Sequence, residues 1–329
     1  MFFFCIFPLI ELISALSAPP EGALIVGGDG SYSTVQAAVD GLDGSITTEQ
    51  IIFINEGNYT EQVTIPTLQS PLTIYGYAPD DTDDSYISNT VTISGGLGVD
   101  DTGLSNDEVA TLRVHHSGAF KLYNVNVENT RGGGTQAVAL SANAANSQQG
   151  YYASQFRGHV DTVLANSGKQ FYANCLVQGT DDFIFGQRAV AWFQHVDIRL
   201  LADEKGYITA HARQNDDGYF VISDSTVAAA DGQTVADASY YLGRPWNERA
   251  RVVFQKTELP SLINPAGWIA WKEGDERISD VLFGEVANTG PGADMEQRAS
   301  FATALDAPLK IEDVLGADYV DWIDTSFFG

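Results

Sequence analysis

Cysteine is nearly absent from this chain. Its 329 residues include only Cys5 and Cys175, and Cys5 lies in an apolar segment at the N-terminus. If that segment is removed, the remaining chain has a single thiol and cannot form an internal disulfide. Its stability must then come from packing of hydrophobic residues, which make up 44% of the sequence.

Basic residues are also scarce. The chain has 17 lysines and arginines against 43 aspartates and glutamates, which gives a formal net charge of −26 at pH 7. Such a charge argues against nucleic acid and anionic membrane surfaces as partners. The five histidines show no metal-ligand spacing, so we expect no metal site.

Long apolar runs are missing after the N-terminus, and no later stretch has the roughly 18–20 apolar residues that cross a bilayer. The chain begins MFFFCIFPLIELISALSA, an apolar run that ends in small residues and is typical of a secretory signal. We expect residues 1–17 to be a signal peptide and residues 18–329 to form one secreted, extracellular domain. A buried N-terminal helix is the alternative, because Glu11 interrupts the run and no basic residue precedes it.

No convincing amphipathic helix is found between about residues 70 and 260. Short alternating runs such as KLYNVNVEN (121–129) are separated by Gly, Asn, Asp and Ser, a pattern that predicts strands and turns. A helical pattern at the front, SYSTVQAAVDGL (31–42), suits a short cap. The C-terminal segment 310–328 is interpreted as a tail that packs on the side of the fold.

Several positions repeat with a period of about 21 residues, a length typical of solenoid repeats. The aligned sets are Ser154, Cys175 and Val196; Phe156, Val177 and Ile198; Phe171 and Trp192; and Gly158 and Gly179. A fixed register without intervening helices predicts an all-β solenoid of stacked coils, a parallel β-helix. An antiparallel sandwich would also contain many short strands, but it gives no reason for a constant spacing. In the solenoid Cys175 is a small core residue.

The same shift places Asp161 over Asp182. Equivalent positions on neighbouring coils are about 4.8 Å apart, so the two carboxylates cannot both ionise easily and one pKa should rise. Such a pair can supply one acid and one nucleophile or base. A structural ladder of aspartates at a turn is the alternative. Asp181, which directly precedes Asp182, is expected to point to the opposite side, into solvent.

Several motifs together resemble the pectin methylesterases, most closely the fungal type, over nearly the whole mature length. The matching stretches are GDGSYSTVQAAVD (28–40), EGNYTEQVTI (56–65), TQAVAL (135–140), the VDT of GHVDTVL (158–164), DFIFGQ (182–187), YYLGRPW (240–246), GWIAW (267–271) and NTGPGA (288–293). The resemblance implies a right-handed parallel β-helix that hydrolyses the methyl esters of galacturonate units in pectin, without metal or organic cofactor.

The resemblance also implies roles for individual residues. Asp182 would be the nucleophile, held ionised by Arg244. Asp161 would protonate the departing methanol and then act as the base that activates water. Gln136 would donate a hydrogen bond to the oxyanion. The substrate-binding aromatics would be Trp246 and Phe185.

The chain departs from the family at Val160. The residue before the acid aspartate is usually a glutamine, a second oxyanion donor, and valine has no side-chain donor. Leu164 likewise stands where the family commonly has an aromatic residue. Either Gln136 suffices, with help from a backbone N–H or His159, or the protein is a weakened or inactive pectin-binding relative. The retained charged residues favour an active enzyme.

Three further expectations concern partners and modification. Pectin is the expected partner, and the protein is expected to act as a monomer. Asn58, in the sequence Asn58-Tyr59-Thr60, is a candidate N-glycosylation site. Repulsion between an acidic enzyme and an acidic polymer predicts an acidic optimum and a preference for highly esterified pectin.

Overall fold

The structure is a computed structural model that describes residues 15–81, 84–215 and 217–328. Most of the expected signal peptide, residues 1–14, lies outside the described residues, so its removal stays a prediction. The strands in chain order are β1 Leu24–Val26, β2 Gln50–Ile54, β3 Gly57–Thr60, β4 Val63–Ile65, β5 Leu72–Gly76, β6 Val91–Gly95, β7 Leu112–Val114, β8 Ala119–Tyr123, β9 Asn126–Asn129, β10 Leu140–Tyr152, β11 Gln155–Arg157, β12 Val163–Ala173, β13 Leu176–Gly179, β14 Asp181–Gly186, β15 Val190–Gln194, β16 Asp197–Leu200, β17 Gly206–His211, β18 Tyr219–Ser223, β19 Thr226–Ala229, β20 Tyr240–Pro245, β21 Arg251–Gln255, β22 Leu282–Val286 and β23 Ala302–Ala304.

The helices are short. They are α1 Val35–Asp40, α2 Val99–Thr102 and α3 Ile311–Leu315, with 3-10 segments at Pro291–Ala293, Ala317–Asp321 and Thr325–Phe328. Within the described ranges no helix combines the length and the apolar character needed to cross a membrane.

The strands pair in parallel and stack into three faces, which confirms the parallel β-helix. Face 1 contains β4, β7, the first halves of β10 and β12, then β14, β17 and β20. Face 2 runs from β1 through the second halves of β10 and β12 to β23. The two long strands turn the corner between these faces. Face 3 is a separate sheet of seven strands, in the order β19-β16-β13-β11-β9-β6-β3.

The predicted repeat spacing holds in the central coils. Gln155 pairs with Leu176 and Leu176 with Asp197 on face 3, so each step along the chain equals one repeat. The flanking coils are longer, because Asn126 pairs with Gln155 and Asp197 pairs with Thr226. Most of the extra residues enlarge the turns between strands, but some lie within β10, where the register with β12 shifts between Ala142 and Gln148.

Stacked side chains fill the core. The rings of Tyr151 and Tyr172 stack with their centroids 4.7 Å apart, and those of Tyr172 and Phe193 at 4.4 Å. Such contacts add to the burial of apolar surface on every coil. Cys175 is fully buried in the same core, as predicted, and burial raises the pKa of its thiol to about 12. It is therefore an inert packing residue.

Helix α1 covers one end of the solenoid. Thr34 caps it by accepting a hydrogen bond from the N–H of Ala37, and Val35, Ala38 and Val39 pack into the core. The short cap predicted from residues 31–42 is thus confirmed. At the other end the indole of Trp268 stacks on Phe283 with centroids 4.3 Å apart.

The C-terminal tail packs on the outside of face 2, as expected. Its apolar side chains meet an aromatic row on that face in one cluster, whose buried members include Ile311, Leu315, Trp322, Ile323, Phe327, Tyr123, Tyr152, Phe171 and Trp192. The hydroxyl of Tyr123 donates to the carboxylate of Asp324 at 3.0 Å, and the N–H of Asp324 donates to the hydroxyl of Tyr152 at 2.8 Å. These bonds fix the tail to the two coils beneath it.

Candidate active site

A cleft of about 560 Å³ lies on the outer side of face 1. Its walls come from successive coils and the loops between them, and its lining residues are Asp100, Asn106, Gly134, Thr135, Gln136, His159, Val160, Asp161, Asp181, Asp182, Phe185, Asp203, Ala210, Arg244, Trp246 and Trp271. All six residues predicted for catalysis and substrate binding are among them. A larger groove of about 770 Å³, between the corner at Ser167 and the C-terminal tail, contains none of the six.

The stacking of coils brings the two aspartates together. Val163 pairs with Ile184 in the register of β12 and β14, so Asp161 and Asp182 occupy equivalent positions just before that pair. Both have left-handed backbone conformations, with φ of 62° and 51°. Both are buried, with only 7% and 8% of their surface exposed.

Asp182 forms an ion pair with Arg244 from β20. Nε and Nη2 of the guanidinium donate to the two carboxylate oxygens at 2.8 and 2.7 Å. Two such parallel bonds fix both the charge and the orientation of the carboxylate. The guanidinium is itself enclosed by aromatic rings, 3.9 Å from the centroid of Tyr207 and 4.5 Å from that of Trp271. This enclosure limits its conformational freedom.

The surroundings of Asp161 and Asp182 give their carboxyl groups different pKa values. Burial raises the pKa of Asp161 well above its ordinary value, and the charge of Asp182 raises it further. Burial also raises the pKa of Asp182, but the hydrogen bonds and charge of Arg244 oppose that rise. Asp182 therefore loses its proton first. Over an interval of pH an Asp182 carboxylate coexists with an Asp161 carboxylic acid.

Polar donors reach the same cleft from two sides. Gln136 is half-buried on the wall before β10, where Ala137 donates its N–H to the carbonyl of Val160 at 3.1 Å. Val160 therefore lies beside Gln136 on the next coil, and its side chain offers no donor. His159 also lines the cleft, but its Nδ1 is engaged with the Thr180 hydroxyl at 3.0 Å.

Asn106 contacts Asp161 directly. Its Nδ2 donates to Oδ2 of Asp161 at 3.2 Å, from the turn between α2 and β7. Asp107 anchors this turn by accepting hydrogen bonds from Arg113 and Ser141, each at 2.7 Å, and by contacting His115. Burial opposes ionisation of Asp107, but these partners hold its pKa well below the ordinary value. The turn, and with it Asn106, is thereby held against the cleft.

An apolar patch lies beside the carboxylates. The rings of Phe185 and Trp246 are tilted against each other with centroids 6.0 Å apart. Both belong to a cluster with Leu164, Val138 and Ala210. Leu164, at the position where the family commonly has an aromatic residue, is buried within this cluster. The cleft thus combines a charged centre with an apolar surface suited to a methyl group or a sugar face.

Asp181 does not point into solvent, and that expectation was wrong. It is half-buried and lines the cleft next to Asp182. Strict alternation along a strand assumes extended backbone, whereas Asp182 is left-handed and the register between β14 and β17 shifts between Asp181 and Ile184. Burial raises the pKa of Asp181 to about 6, with the charge of Asp182 as the next cause.

Comparisons with known proteins agree with this geometry. The sequence profile of the Pectinesterase family matches residues 23–310. The chain belongs to the pectinesterase family. Pectinesterase from Aspergillus aculeatus is 46% identical over 328 residues, which cover 98% of this chain and 97% of that protein.

Two solved structures show the same likeness. The pectin methylesterase from Aspergillus niger aligns with a TM-score of 0.87 and 39% identity, covering 95% of this chain and 100% of that one. The enzyme from carrot aligns with a TM-score of 0.77 and 29% identity, over 88% of this chain and 90% of the other. As a pectinesterase family member, the chain is a carboxylic ester hydrolase that removes methyl esters from pectin.

Sequence reasoning missed two residues of this pectinesterase family member that contact the predicted catalytic side chains. Asn106 lies in a polar turn, and no repeat or motif in the sequence distinguishes it from its neighbours, although its amide donates to Asp161. Tyr207 on β17 packs its ring against the guanidinium of Arg244. It belongs to an alternating strand pattern that gives no sign of this contact. Trp271, the last residue of the GWIAW stretch, also lines the cleft and packs on Arg244.

Proposed function

We propose that Asp182 and Asp161 carry out methyl ester hydrolysis in two acyl-transfer steps. The observation that carries this assignment is the bidentate bond of Arg244 to Asp182, with Asp161 buried beside it and no guanidinium bonded to it in the described part of the chain. One carboxyl group is thus stabilised as an anion, and the other is favoured as an acid.

In the first step an oxygen of the Asp182 carboxylate attacks the ester carbonyl carbon. The carbonyl oxygen becomes an oxyanion and accepts a hydrogen bond from Gln136. As the bond between the carbonyl carbon and the methoxy oxygen breaks, Asp161 donates its proton to that oxygen and methanol leaves. The galacturonyl group is then held on Asp182 as an acyl-enzyme.

In the second step the ionised Asp161 removes a proton from water. The resulting hydroxide oxygen adds to the galacturonyl carbon, and Asp182 leaves as a carboxylate. The product is a free galacturonic acid unit, and Asp161 is again protonated for the next cycle. The apolar patch of Trp246 and Phe185 accommodates the ester methyl or a sugar face near the reacting carbon.

We also propose that the chain is secreted and acts as a monomer on pectin outside the cell. An apolar N-terminal run and an acidic surface support this. Asn58 is exposed on β3, where a glycan would meet no steric barrier from buried core. Mass analysis of the purified secreted chain would show both the mature N-terminus and any glycan at Asn58.

The role of Asp182 is tested by methanol release from highly methylated pectin. Asp182→Asn keeps the shape and the left-handed tolerance of the residue but removes the nucleophile, so we expect a loss of about 10⁴-fold or more in kcat. Asp231→Asn, an exposed site outside the cleft, is the matched control and should leave the rate unchanged.

Product analysis distinguishes methyl ester hydrolysis from two other reactions on pectin, chain cleavage by a lyase and chain cleavage by a glycosidase. Ultraviolet absorbance from an unsaturated product would indicate a lyase, and new reducing ends a glycosidase. If the unmodified chain binds pectin but releases no methanol, the hypothesis of a weakened or inactive relative holds instead. If Asp182→Asn retains full activity, the assignment of the nucleophile is wrong.

A further inference from the structure

The walls of the cleft carry an excess of negative charge. Five of the lining residues are aspartates, at positions 100, 161, 181, 182 and 203, whereas Arg244 is the one lysine or arginine among the lining residues described. Arg244 is already engaged with Asp182 and enclosed by two aromatic rings. Its hydrogen bonds go to the nucleophile, so the other four aspartates of the lining have no bonded cation among the lining residues described.

Asp181 is the aspartate best placed to act on the substrate without taking part in the chemistry. Its backbone carbonyl accepts the N–H of Asp161 at 3.0 Å, which places it between the two proposed catalytic residues. Its side chain lines the cleft, and the buried atom Oδ1 has no hydrogen-bond partner within the described part of the chain. The charged or titratable groups around it are Asp182 on its own strand, Asp161 on the preceding coil, Tyr207 beside it in register, Arg244 on β20, and Asp203 and Lys205 before β17.

We propose that Asp181 is a specificity-determining residue whose carboxylate disfavours ionised galacturonate units next to the ester being cleaved, and so selects methyl-esterified stretches of pectin. The inference rests on the proposed function. Overall charge repulsion already predicts a preference for highly esterified pectin, and the proposal assigns that preference to one residue in the cleft. A neighbouring methyl ester is neutral and is not repelled. A neighbouring substrate carboxylate about 8 Å from the carboxylate of Asp181 would be repelled. At the dielectric of a partly solvated cleft this repulsion would lower kcat/KM by about threefold to tenfold.

This selection depends on pH. An unpartnered, buried oxygen favours the neutral acid, and burial raises the pKa of Asp181 to about 6. Asp181 is thus largely neutral at about pH 5 and charged at about pH 7.5, whereas sugar carboxyls, which titrate at about pH 3.5, stay ionised at both. Asp161 does not blur the comparison, because its protonation affects methanol release from both pectins in the same way and cancels in a ratio of their kcat/KM values.

The test compares kcat/KM for methanol release from pectins of high and low methylation. The ratio of the two values cancels every factor common to both substrates. In the unmodified chain we expect the ratio to rise about threefold to tenfold from about pH 5 to about pH 7.5. In Asp181→Asn the ratio should stay near its acidic value at both pH values. Molar salt should also weaken the selection, because it screens the charges.

Asp231→Asn changes the net charge by the same amount from an exposed position and should behave as the unmodified chain. A ratio that does not change with pH in the unmodified chain would overturn the proposal without recourse to any variant. So would an active Asp181→Asn whose ratio still rises. Failure of the proposed function looks different, since no methanol would be released from either pectin.

Discussion

At the scale of single residues, the left-handed backbone of Asp161 and Asp182 restricts what can replace them. Such conformations cost most residues about 1–3 kcal/mol, while aspartate and asparagine tolerate them comparatively well. Here φ is 62° and 51°. Asparagine is therefore the substitution that removes the charge with the least change of backbone, and an alanine at either position would combine a chemical with a conformational effect.

Val160 is the residue where a change should accelerate the reaction. It lies beside Gln136 and lines the cleft, so a glutamine there can project a second amide donor toward the oxyanion. One such donor is worth about 2.7–4 kcal/mol in acyl-transfer sites, and we expect Val160→Gln to raise kcat by about tenfold or more. The measurement is methanol release at saturating pectin.

Val160→Leu is the matched control, because it enlarges the side chain without adding a donor. Equal rates for the two variants would mean that the missing glutamine does not limit the enzyme. Asn106 would then be the first residue to consider as the compensating group, since its amide is already at 3.2 Å from Asp161.

At the scale of elements, the C-terminal tail depends on a polar contact within an aromatic cluster. Asp324 is 3% exposed and accepts from Tyr123 while its N–H donates to Tyr152. Asp324→Ala leaves the Tyr123 hydroxyl buried without an acceptor, which costs about 1–3 kcal/mol. We expect a lower unfolding midpoint in urea and faster proteolysis of residues 310–328.

Tyr123→Phe is a milder comparison, since it removes the donor and keeps the ring stacked between Tyr75 and Tyr152. The double variant should then cost less than the sum of the two single changes. Strict additivity would show that this hydrogen bond does not hold the tail.

The sequence predicted those features that follow from repetition. A shift by one repeat was enough to pair Asp161 with Asp182 and to place Cys175 in the core. It could not place Arg244, because Phe185 pairs with Ala210 and Ala210 with Arg244 across coils that are longer than the central repeat. The prediction that Arg244 pairs with Asp182 came from the family resemblance. The side chain of Asp181 was predicted on the wrong side because side chains alternate only along extended backbone, and Asp182 is left-handed. The sequence pattern does not reveal that backbone conformation.

At the scale of the whole molecule, stability should be greatest under mildly acidic conditions. The folded-state pKa values of Asp161 and Asp181 are raised, so their contribution is present below about pH 4 and is lost as pH rises through about 6 and above. The pKa of Asp107 is lowered, so its contribution is lost as pH falls below about 4.

We therefore expect Tm to be highest near about pH 4–5.5 and to fall toward pH 8, by about 2–4 °C for each kcal/mol lost. The net charge of −26 acts in the same direction through self-repulsion. Scanning calorimetry across pH measures this, and Asp181→Asn should flatten the part of the decline that lies between about pH 4 and pH 6. A Tm that rises steadily to pH 8 would contradict the shifts described.

The position of the cleft along the solenoid has a consequence for how the enzyme fails when heated. In a stack of coils each unit is supported only by its neighbours, so the ends open first. Here Asp161 and Asp182 lie on the segment before β12 and on β14, several coils from the N-terminal end, whereas Arg244 lies on β20, the last strand of face 1. Fraying of the N-terminal coils would leave the catalytic geometry intact, so turnover should outlast the loss of amide exchange protection there. Fraying from the C-terminal end would reach Arg244 early and should abolish turnover.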